Sequence, residues 1–179
     1  MYAGETCKPS FAEINYPIQE HTMITTGEKL PEITFQLLTT EGMQNPTTTE
    51  LFADKKVVLF AVPGAFTPTC SEAHLPGYVV NADKLKAKGV DSIICISVND
   101  AFVMNAWGKS QNAEEIIMLA DGNGEFTKAL GLEMDTGSFG GLRSQRYAMI
   151  VDKGVVTTLN VEQPKEFEAS KAETLLALL

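Results

Sequence analysis

The residue best suited to chemistry in this chain is a cysteine, Cys70, in the stretch VVLFAVPGAFTPTCSEAHL over residues 57–75. Val57 to Val62 form a continuous apolar run rich in β-branched residues, which reads as a buried strand. Pro63 and Gly64 stop it, Thr67 is a helix-cap residue, Pro68 suits a first helical position, and Ser71 and Glu72 start a polar face. Cys70 is thereby predicted in the first turn of a helix that follows a central strand. Free backbone N–H groups and the positive end of the helix dipole favour a thiolate there, and such thiols fall from about 8.5 toward ~3.5–7.5. The competing reading is a small hydrophobe packed under a helix start. A disulfide-exchange site would place a second cysteine three residues earlier, where this chain has Thr67. One thiolate beside a hydroxyl can instead attack a small oxidant: breaking the O–O bond of a peroxide leaves Cys–SOH.

Such a reaction needs donors to hold the thiolate and stabilise the departing oxygen. The Thr67 hydroxyl, backbone N–H groups near Cys70 and a cation are candidates. Arg143 and Arg146 are the candidate cations, and Arg146 opens the predicted strand RYAMIV. Arginine stays charged when partly buried and offers a fork of donors, although an arginine at a strand end can equally be a surface residue. His74, four residues after Cys70, shares its helical face. It reads either as a protonated imidazole supporting the thiolate or as a hydrogen-bonded packing residue. Cys95 lies inside the apolar run SIICISV (92–98) and reads as a buried core cysteine or a second thiol. Cys7 reads as incidental. The two histidines, His21 and His74, form no metal-ligand spacing with the cysteines, and no phosphate-binding or dinucleotide motif is present, so neither metal nor cofactor is expected.

The elements that must position these residues follow in order. Residues 30–38 alternate as a strand, EGMQNP is turn-like, and 51–54 lead back to the central strand. The helix after Cys70 meets Pro76 and Gly77, where a kink is expected, and resumes to about Lys88 before Gly89. A strand at 92–98 is followed by a helix from Asn99-Asp100 to about Lys109, a strand at 116–120 and a short helix ending at Gly131. Residues 145–152 and 154–161 flank Lys153-Gly154 as a β-hairpin, and 169–179 form a closing helix. Alternating βα units predict an α/β fold with a parallel sheet core and an antiparallel edge, its nucleophile at a strand-to-helix turn.

The string PGAFTPTCSEAHLPGY, with SIICISVNDAFVMNAWGK and RSQRYAMIVDKGVV, resembles the type II (atypical, peroxiredoxin-5-like) peroxiredoxins over roughly residues 23–179. The resemblance implies a thioredoxin-like fold with a central mixed sheet flanked by helices. It implies a thiol peroxidase reducing hydrogen peroxide and alkyl hydroperoxides, with Cys70, Thr67, Pro63 and Arg146 catalytic and Arg143 supporting. It also implies a homodimer and recycling by glutathione, glutaredoxin or thioredoxin. Relatives often carry Cys at position 95 and are thought to use it as a partner thiol. The other resolving position of the group is occupied here by Ser170, so glutathione, alone or through glutaredoxin, is the expected reductant. A peroxide sensor that relays oxidation to a protein partner is the alternative.

One domain is expected over 23–179, with 1–22 as a partly mobile extension and Met23 as an alternative start. That extension has no apolar core of a secretory signal and no arginine, three cysteines suit a reducing compartment, and a cytoplasmic location is expected. A net charge of −9 argues against nucleic acid or an anionic membrane as partner.

Overall fold

The structure is a computed structural model that describes residues 22–179. The expectation of an extension over 1–22, with Cys7 and His21, lies outside the described residues, Thr22 apart. In chain order the elements are β1 (Leu37–Thr39), β2 (Gly42–Gln44), α1 (Thr48–Phe52), β3 (Lys56–Ala61), α2 (Leu75–Ala87), β4 (Ser92–Ser97), α3 (Ala101–Ser110), β5 (Ile117–Ala120), α4 (Glu125–Ala129), β6 (Glu133–Asp135), β7 (Leu142–Ser144), β8 (Tyr147–Asp152), β9 (Val155–Val161) and α5 (Ala172–Leu178). A π-helical turn, Cys70–His74, leads into α2.

The central sheet has the order β5-β4-β3-β8-β9. Strand β3 pairs in parallel with β4, and β4 with β5; β8 runs antiparallel to β3 and to β9. The parallel core and antiparallel edge are those expected. Alternation along β3 divides the core in two. Val58, Phe60 and Val62 pack with Cys70, Leu75, Tyr78, Leu85 and Trp107, whereas Val57, Leu59 and Ala61 pack with Phe35, Phe52 and Phe126. Burial on both faces explains the unbroken apolar runs of β3 and β4. Lys153 and Gly154 both take positive φ, 51° and 80°, closing the β8–β9 hairpin in the sense its twist requires.

The structure departs from several of these expectations. Residues 30–38 form no continuous strand; isolated bridges at Lys29, Thr34 and Gln36 precede the short β1. Their backbone groups are satisfied piecemeal: Ile33 N–H donates to Thr48 Oγ1 and Phe35 N–H to the Pro46 carbonyl. The turn-like EGMQNP contains β2, paired with β1 as a small hairpin. The return to the central strand is a helix, α1, held by a capping box between Thr47 and Glu50. At Pro76, where a kink is expected, the helix is continuous and is preceded by a π-turn. Pro76 has no N–H for the Glu72 carbonyl, and the chain widens into the π-turn in which Leu75 N–H donates to the Cys70 carbonyl. The small β6–β7 pair was not expected. The closing helix begins at Ala172 rather than 169, because Ser170 is tied elsewhere, as described below.

Candidate active site

The loop after β3 is built to present Cys70. Ala65 N–H donates to Asn99 Oδ1 at 3.0 Å, tying the loop to the end of β4. Phe66 takes φ +62°, an uncommon conformation for an aromatic residue that turns the chain back, and its ring is 57 % exposed. The Thr67 hydroxyl donates to the Gly64 carbonyl at 2.7 Å, and the helix opens at Pro68. Behind it, Trp107 Nε1 donates to Ser71 Oγ at 3.0 Å, anchoring the first turn to α3. Cys70 is fully buried in that turn.

Arg146, immediately before β8, donates from Nη2 to Cys70 Sγ at 3.2 Å. Its Nη1 lies 2.9 Å from His74 Nδ1, and His74 Nε2 lies 3.1 Å from the Ser170 carbonyl. These partners fix the tautomer. A carbonyl only accepts, so Nε2 carries the hydrogen; a guanidinium only donates, so Nδ1 accepts. Burial, then the Arg146 charge, pushes the His74 pKa down to about 3, although the Ser170 carbonyl works in the opposite direction. The protonated imidazole among the sequence expectations is therefore replaced by a neutral ring that orients Arg146. The ring also packs among Phe60, Tyr78 and Phe167.

Thr67 differs in role from expectation. Its single proton is engaged by the Gly64 carbonyl, so its oxygen faces a reactant as an acceptor, not a donor. Pro63, Thr69 and Arg146 line a cleft of about 480 Å³ closed on the far side by residues 162–167. Arg143 does not hydrogen-bond to Cys70: Nε donates to the Gly140 carbonyl and Nη1 to the Val98 carbonyl, which clamps the β6–β7 turn to the end of β4. Cys95 is fully buried on β4, opposite Phe60, and belongs to the same core layer as Cys70. Both are free thiols, and burial followed by the proximity of Cys70 pushes the Cys95 thiol up.

Two residues were not singled out as site groups by sequence. Ser170 is buried, and its carbonyl receives both His74 and the Tyr78 hydroxyl, the latter at 2.8 Å. Glu162 Oε1 accepts from the Ser170 N–H at 2.7 Å and the Ser170 hydroxyl at 2.8 Å. No local pattern marks them, since the contact to His74 closes over 96 residues.

The Redoxin family profile matches residues 25–176. The chain is 50% identical over 162 residues to "Peroxiredoxin-2E, chloroplastic" of Arabidopsis thaliana, covering 87% of this chain and 69% of that protein. It is 46% identical to "Hybrid peroxiredoxin hyPrx5" of Haemophilus influenzae, covering 86% of this chain and 65% of that one. Among solved structures it resembles reduced Prx3 from Vibrio vulnificus in complex with H2O2, with 73% identity, a TM-score of 0.86, and coverage of 87% of this chain and 99% of that one.

Proposed function

The chain belongs to the Redoxin family and within it to the type II peroxiredoxins, thiol-dependent peroxidases, and on that premise we propose that Cys70 is the thiolate that attacks the peroxide. The observation that carries this is the Arg146 guanidinium 3.2 Å from Cys70 Sγ at the start of a helix. The sulfur attacks one peroxide oxygen; the S–O bond forms as the O–O bond breaks. The hydroxyl stays on sulfur as Cys–SOH, and the departing hydroxide or alkoxide takes a proton from solvent. Arg146 stabilises charge on both sulfur and leaving oxygen, the Thr67 oxygen accepts the peroxide hydrogen, and Pro63 walls the thiolate from water. A first external thiol condenses with the sulfenic acid, releasing water, and a second frees Cys70 with formation of the external disulfide.

The reductant we assign is glutathione, alone or through glutaredoxin, with thioredoxin less suited. Supporting this, the only other cysteine among the described residues is the buried Cys95, and the C-terminal segment offers Ser170. Dependence on a glutathione pool goes with a cytoplasmic location. The active form is taken to be a homodimer. The test is NADPH-coupled peroxide consumption with glutathione, glutaredoxin and thioredoxin supplied in turn. Wild type turns over with the first two, and Cys70→Ser turns over with none. Substantial turnover by Cys70→Ser rejects the nucleophile assignment.

A further inference from the structure

We propose that Glu162 is a positioning residue for peroxide reduction: by knotting the loop 162–170 it fixes the Ser170 carbonyl, which through His74 aims Arg146 at Cys70. The inference rests on the assignment of Cys70 as the reacting thiolate. A closed circuit of contacts carries it. The Glu162 N–H donates to the Arg146 carbonyl at 2.9 Å, so the two residues share the start of the β8–β9 pairing. Glu162 Oε1 then accepts from Glu168 N–H at 2.9 Å and from the N–H and hydroxyl of Ser170. The Ser170 carbonyl holds His74 Nε2, and His74 Nδ1 receives Arg146 Nη1, returning to the residue where the circuit began. Within the knotted loop, Phe167 faces the Arg146 guanidinium with its centroid 5.6 Å from Cζ, and its ring meets that of His74.

The arrangement has chemical consequences. With Nη2 on the sulfur, the Arg146 guanidinium is aimed by a second contact at Nη1 that brings no anion to compete with the thiolate. A neutral imidazole makes this contact, and the Ser170 carbonyl on its other side accepts the Nε2 hydrogen and holds the ring in place. The Glu162 carboxylate acts one step away, on the loop. Burial disfavours its charge, but the hydrogen bonds from Ser170, Glu168 and Ala169 outweigh this and hold its pKa below the usual carboxylate value. It is therefore an anionic anchor at neutral pH that makes no direct claim on Arg146.

The test measures the rate of peroxide-driven Cys70 oxidation against pH for wild type, Glu162→Ala, Glu162→Gln and His74→Phe, with Cys70→Ser alongside. Glu162→Ala is expected to be about tenfold slower at neutral pH, the size of one lost charge-assisted hydrogen bond, with its pH–rate midpoint displaced upward. The KM for the external thiol should stay unchanged. Glu162→Gln, whose amide oxygen still accepts, recovers most of the rate. His74→Phe preserves the aromatic stack but cuts the circuit, and gives the same displacement. A purely structural role for Glu162 would lower the melting temperature without moving the midpoint. A wild-type profile in folded Glu162→Ala, or in His74→Phe, overturns the proposal. Activity in Cys70→Ser instead overturns the nucleophile reading on which it rests.

Discussion

At the residue scale, Cys70 and Arg146 divide the work between a buried sulfur and a forked donor. The guanidinium supplies one N–H to sulfur while its other arm is held by His74, so it is oriented before any reactant arrives. Preorganised donors of this kind contribute about 10²–10³ in rate when deleted singly. Arg146→Ala should therefore slow peroxide-driven Cys70 oxidation by ~10²-fold. Arg146→Lys should recover little, because a point charge cannot hold both His74 and the sulfur. Stopped-flow measurement of the first oxidation step checks this, and an unchanged rate in Arg146→Ala rejects it. His74 makes a separate prediction for stability. Its folded pKa is about 3 against about 6.5 unfolded, so between those values the unfolded chain binds a proton that the folded one does not. Stability is present in full above about pH 6.5 and falls as pH drops through the window, by up to about 1.4 kcal/mol per pH unit. Chemical denaturation from pH 7 to 4 should show that slope, and His74→Phe should flatten it.

At the element scale, what the sequence revealed and what it hid have different physical origins. Strands β3 and β4 were legible because burial on both faces demands long apolar runs. Asp100 was legible as a cap, and its side chain accepts from Val103 N–H at 2.9 Å. The position of Cys70 followed from Pro63, Gly64 and Pro68 acting as punctuation. The three-residue strands β1, β2, β6 and β7 left no such mark, because they are short, mostly only half-buried and defined by backbone pairing. The π-turn was legible only as a disturbance at Pro76; how the helix absorbs it depends on the packing of α2. The sequence alone did not show that the Thr67 proton is engaged locally, by the Gly64 carbonyl at 2.7 Å. Cys95 shows the consequence of element placement for mechanism. It sits mid-strand with no exposure, and burial keeps its thiol protonated and poorly nucleophilic. A disulfide requires Cα atoms within about 7 Å and converging side chains, and we expect a helix start and a strand interior to meet these demands only after local opening. Cys95→Ala should retain most glutathione-supported turnover. Peptide mapping after one equivalent of peroxide should find Cys70–SOH. A dominant Cys70–Cys95 crosslink would mean that β4 opens during catalysis.

At the scale of the whole molecule, the site lies where three loops meet, and those loops carry exposed aromatic residues. Phe66 is 57 %, Phe102 67 % and Phe139 86 % exposed, so these rings are available at the surface. The loops are joined. Asn99 receives the Ala65 N–H beside Phe66 and directly precedes the start of α3, which carries Phe102. Arg143 ties the Phe139 turn to the Val98 carbonyl next to it. The three rings thus stand on segments anchored to the same end of β4, on the side from which Cys70 is presented. Full burial of one such side chain is worth about 1.5–3 kcal/mol. Three on one face would supply the apolar centre around which specific interfaces form. The proposed homodimer is expected to use this face, bringing a second copy against the loops that frame the site. Sedimentation equilibrium at micromolar concentration should give twice the chain mass for wild type and shift toward monomer for Phe102→Glu and Phe139→Glu. The substitutions lie outside the hydrogen-bonded circuit of Cys70, Arg146 and His74. The folded variants should therefore keep the thermal transition of the isolated chain while losing the concentration dependence that dimerisation gives it. Wild-type protein that remains monomeric at high micromolar concentration would reject the dimer, and the exposed rings would then require a different partner.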